Sequence, residues 1–70
     1  MRQLFELGES VKVYNLGGYP QGIGTIIKVK KDDRDIWYTI KIPDSKYRML
    51  YRQALDLLRR VDGETDTDDR

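Results

Sequence analysis

Seventy residues leave room for one domain, and a core of that size is marginal enough that self-association is expected to add stability. Cysteine and histidine are both absent, which excludes a disulfide framework, a thiolate metal site and the commonest general base. The net charge of +1 hides an asymmetry: residues 62–70 carry five acidic side chains against Arg70, net −4, while the other 61 hold 12 Lys or Arg and 7 Asp or Glu, net +5.

Residues 1–7 are too short and too charged for a signal peptide, and no apolar run approaches the roughly 20 residues of a membrane-spanning helix. The expectation is a soluble cytoplasmic protein without a membrane partner. In the opening segment Leu4, Phe5 and Leu7 predict either a short strand or an apolar flap over one end of a barrel. After Gly8, Val11 and Val13 alternate with Lys12 and Tyr14, the period of a half-buried strand. Asn15-Leu16-Gly17-Gly18-Tyr19-Pro20-Gln21-Gly22 is turn chemistry throughout.

Gly22 and Gly24 begin the second strand. Glycines so placed suit a sharp bend or a backbone approach too close for a side chain. Alternation sets Ile23, Thr25, Ile27 and Val29 on one face and Ile26, Lys28 and Lys30 on the other. Lys31-Asp32-Asp33-Arg34-Asp35 reads as a hairpin tip, with its carboxylates in solvent. Ile36, Tyr38, Ile40 and Ile42 then alternate with Trp37, Thr39 and Lys41. This third strand puts Tyr38 in the core and Trp37 on the opposite face. Pro43-Asp44-Ser45 ends it.

Residues 45–61 admit two readings. Tyr47, Leu50, Tyr51, Ala54, Leu57, Leu58 and Val61 recur at helical spacing, with Ser45 to cap and Gly63 to stop a helix. That version is a three-stranded sheet with one C-terminal helix. The favoured version is an all-β, five-stranded small barrel: a strand at Tyr47–Tyr51, a helical turn at Gln53-Ala54-Leu55, and a strand at Leu57–Val61. It places the barrel and its N-terminal extension in residues 1–61. Residues 62–70 read as a disordered acidic tail.

The order of these features resembles the SH3-like small barrels: Gly8-x-x-Val11-x-Val13, a loop, Gly22-x-Gly24-Thr25-Ile26, a hairpin, an aromatic strand and a leucine-bearing close. That superfamily includes KOW and Tudor modules and the type II dihydrofolate reductases. The resemblance covers residues 8–61 and implies a binding surface of first loop, hairpin tips and exposed aromatics. The reductases line their pore with a valine, glutamine, isoleucine, tyrosine segment. Arg48-Met49-Leu50-Tyr51 stands in its place and keeps only the tyrosine, so the substrate-binding glutamine is missing and reductase activity is not expected.

Other chemistry is sparse. Ser10 and Ser45 are the only serines and have no identifiable base. Gly22-x-Gly24 lacks the following helix and lysine of a phosphate loop. A non-enzyme without cofactor or metal is expected. The candidate binding surface is Trp37 with Lys12, Tyr14, Lys28, Lys30 and Lys41, and Tyr19 on the first loop. Aromatics among lysines suit single-stranded nucleic acid, whose bases stack while ammonium groups meet phosphates. The same exposed tryptophan suits a protein interface as an anchor. The small basic excess and the acidic tail favour the protein reading, a small regulator or inhibitor docking on a larger protein, with nucleic acid as the alternative.

Overall fold

The computed structural model describes residues 2–61. The expectation of a disordered tail at 62–70 lies outside them. Five strands are present: β1 (Ser10–Tyr14), β2 (Pro20–Lys31), β3 (Ile36–Lys41), β4 (Arg48–Arg52) and β5 (Leu58–Arg60). All pairings are antiparallel, in one sheet of order β4-β3-β2-β1-β5. The first four strands form a meander. A 3₁₀ turn at Gln53–Leu55 then carries the chain back, so that β5 pairs with β1 through Val11↔Arg60, Lys12↔Arg59 and Val13↔Leu58.

The helical reading of residues 45–61 is therefore overturned. Asp56, just after the 3₁₀ turn, takes the left-handed conformation at φ 58°, which a continuous right-handed helix cannot contain. Met49 and Tyr51 are half-buried while Arg48, Leu50 and Arg52 are exposed, the alternation of a strand.

The core forms where the inward side chains of the sheet meet: Val11, Val13, Ile26, Ile36, Tyr38, Ile40 and Leu58. Phe5 completes it, its ring edge-on to Tyr38 at 5.6 Å and 81°. Residues 2–7 form no strand; of their three apolar side chains Phe5 packs on the core, while Leu4 and Leu7 are exposed. This segment is pinned by the Tyr38 hydroxyl, which accepts the N–H groups of Leu4 and Phe5 at 3.2 and 3.3 Å and donates to Gln53 Oε1. One buried phenol thus ties the N-terminal segment to the 3₁₀ turn.

Of the two demands read from the glycine pair, the close approach is the one met, at Gly24. Gly22 sits at φ +128°, and a Cβ on Gly24 would fall 2.5 Å from Ile40 Cγ2 and 3.0 Å from the Lys41 carbonyl oxygen. Simple alternation fails along β2, however. The β2–β3 register shifts between Ile26 and Lys28. Ile26 points into the core, and Ile23 and Ile27 are exposed, contrary to the face assigned to them. The bulge adds one residue, which resets the phase. Val29 packs against the core beyond it, and Lys28 and Lys30 are exposed.

Candidate functional site

Because Ile36, Tyr38 and Ile40 point inward, β3 presents Trp37, Thr39 and Lys41 on the outer face. The registers on either side extend them into three cross-strand rows. Lys30, Trp37 and Arg52 form one, Lys28, Thr39 and Leu50 the next, and Thr25, Lys41 and Arg48 the third. A hollow of about 410 Å³ opens over the first two rows, lined by Lys28, Lys30, Asp32, Trp37, Thr39 and Leu50.

Trp37 is half-buried and its two polar opportunities are taken. The indole Nε1 donates to Asp32 Oδ2 at 3.1 Å, and the Arg52 guanidinium carbon lies 5.2 Å from the ring centroid. Asp32 itself organises the β2–β3 hairpin, its Oδ1 accepting the N–H groups of Arg34 and Asp35 at 2.8 Å each. These two backbone donors, with the indole, hold its carboxyl below the usual carboxylate range. The hollow therefore carries one fixed negative charge beside two lysines.

Arg52 is aimed by Asp35, a residue the sequence placed on a solvated hairpin tip. Asp35 is 2% exposed. Its Oδ2 accepts Arg52 Nε at 2.9 Å, and its Oδ1 accepts the N–H groups of Ile36 at 2.8 Å and Ala54 at 3.3 Å. Burial pushes its carboxyl up, but the Ile36 N–H, Arg52 and the Ala54 N–H together outweigh that and leave it below the ordinary value. This carboxylate fastens the end of β4 and the 3₁₀ turn to the β2–β3 hairpin.

A second hollow, of about 510 Å³, is lined by Asn15, Leu16, Gly17, Leu50, Tyr51, Leu55 and Leu57. Its far wall is the β1–β2 loop. Asn15 folds that loop, its Oδ1 accepting the N–H groups of Gly17 and Tyr19 at 2.9 and 3.0 Å, which leaves Leu16 83% exposed at the tip. Leu50, 61% exposed, lines both hollows and joins them.

Of the residues singled out from sequence, Trp37, Lys28 and Lys30 come together. Lys41 shares their face, but its Nζ donates to the Ser45 and Ile42 carbonyls at 2.6 and 3.4 Å and braces the β3–β4 turn. Lys12 and Tyr14 lie across β2 on β1, where Lys12 is opposite Ile23 and Arg59. Tyr14 lines a separate hollow with Asn15, Leu16 and Arg59. Tyr19 is exposed on the loop, away from Trp37's hollow. Sequence reasoning missed Leu16, Leu50 and Leu55; a leucine inside a run of turn formers was the available signal for Leu16.

The described residues contain no helix long and apolar enough to cross a membrane and no group of three or more potential metal ligands. The hollows over β2, β3 and β4 offer cations, one indole and aliphatic carbon. Comparison with protein-family models, with curated proteins and with solved structures finds no match for this chain.

Proposed function

We propose that this chain is a non-catalytic protein-interaction module of the cytoplasm, an SH3-like small barrel that docks on a larger protein through the outer face of β2, β3 and β4. The strand order, with β5 returning beside β1 after a 3₁₀ turn, supports the barrel reading. The observation that carries the function is Leu50. It joins a hollow of cations and indole to an aliphatic groove, and among the described residues nine large hydrophobics are exposed, Leu16 and Leu55 included. A protein partner buries such carbon with profit near 25 cal/mol per Å². Nucleic acid has little use for it. A base would also compete with Arg52 for the Trp37 ring, and phosphate would meet Asp32.

Affinity capture with nuclease treatment tests this, using Leu50→Asp as the partner-blind variant. The expected result is a protein retained as salt rises and lost with Leu50→Asp. Binding that vanishes with nuclease, falls steeply with salt and is insensitive to Leu50→Asp is the nucleic-acid outcome and contradicts the reading.

A further inference from the structure

Successive side chains of a strand point to opposite faces. A hollow that takes its lining from both Leu50 and Tyr51, neighbours on opposite faces of β4, borders the edge of that strand. That edge is open. β4 ends the sheet with β3 on one side, and among the described residues no turn, loop or inter-strand backbone hydrogen bond outside the β3 ladder engages residues 48–51, while Arg52 caps the 3₁₀ turn. Across the groove stand Leu16, Leu55 and Leu57. An added strand runs about 4.8 Å from its neighbour, so a segment seated on this edge would lie in the groove.

The side chains of β4 specify what fits. Arg48 and Arg52 flank Leu50 at alternate positions on the outer face. Lys28 and Lys30 stand behind them. A strand opposite them is matched by acidic, apolar, acidic side chains on that face, and its alternate residues turn toward Leu16, Tyr51, Leu55 and Leu57. A second copy of β4 matches poorly: antiparallel pairing about Leu50 sets Arg48 against Arg52 of the other copy, and like charges directly opposite are destabilising.

Resting on the protein-interaction reading, we propose that the partner contributes an extended segment that adds to the β4 edge as a sixth strand. Its pattern is acidic, apolar, apolar, apolar, acidic. Main-chain bonds supply the register and the side chains supply the choice.

The probe is a capped peptide centred on glutamate, valine, leucine, isoleucine and glutamate. Affinity is read from the fluorescence of Trp37, the single tryptophan, and contact is read from amide hydrogen exchange. Alternate β4 amides facing away from β3 should exchange rapidly in the protein alone and slow when the peptide is added. Arg48→Glu should weaken this peptide about fivefold and favour its lysine-for-glutamate counterpart by a similar factor. That exchange of preference is something a merely structural arginine would not produce. No binding by the peptide overturns the proposal. So does binding that shifts Trp37 without protecting β4, although the interaction reading then survives. Concentration-dependent protection of β4 in the protein alone makes a second copy the occupant and overturns the proposal. Binding of oligothymidylate but of neither peptide removes the proposal and the protein reading together.

Discussion

Asp35 and Tyr38 are single polar groups on which separate parts of the chain converge. The carboxyls of Asp35 and Asp32 are depressed in the fold, so the unfolded chain binds protons more readily than the folded one. Their stabilisation is complete above the ordinary value of 3.8 and is lost as pH falls through it toward the folded values. Thermal unfolding followed from neutral pH downward should show Tm falling across that range. Asp35→Asn should lower Tm at neutral pH and flatten the acid dependence; an unchanged slope would remove Asp35 from the account. Tyr38→Phe deletes the acceptor of the buried Phe5 N–H, which has no second partner among the described residues, whereas Leu4 keeps Gln53 Oε1. Denaturant unfolding should show a loss of about 1–3 kcal/mol, the cost of stranding a buried donor. For Trp37→Ala the loss should be only about 1–2 kcal/mol, from one hydrogen bond and one cation–π contact. The loss expected for a fully buried tryptophan is about 3–5 kcal/mol.

Among the elements, β3 was the most legible in sequence because its alternation is unbroken, and it correctly separated core Tyr38 from outward Trp37. The 3₁₀ turn and the strands around it were legible to within a residue, once the strand reading of 45–61 was preferred. β2 was only half legible. Its glycines announced a close approach, but one inserted residue near Ile27 reversed the phase, and nothing in a run of β-branched residues marks where a bulge falls. Gly24→Ala should lose about 1–3 kcal/mol by denaturant unfolding, since its Cβ would strike the branched Ile40 side chain and the Lys41 carbonyl. A neutral effect would mean β2 and β3 separate more easily than their packing implies. Asp35 and the Leu16–Leu50–Leu55 groove were illegible for one reason. Their roles depend on contacts between segments distant in the chain, and local pattern carries no record of those.

Across the whole molecule, charge and apolar area coincide on one side. Lys28, Lys30, Arg48 and the Asp35-paired Arg52 surround Trp37 and Leu50; Arg59 and Arg60 pair with Asp56 and Glu9 at 2.7 Å each near the other end of the sheet. The fold thus presents a cationic, aliphatic face at an open strand edge, and we propose that this face receives a protein. Photocrosslinking reads this out in one step. A benzoylphenylalanine in place of Leu50 should form a discrete adduct with protein in a cell lysate, and the same group in place of exposed Asp44 should not. Equal labelling from both positions, or an adduct at position 50 that nuclease removes, would mean that this face does not receive a protein.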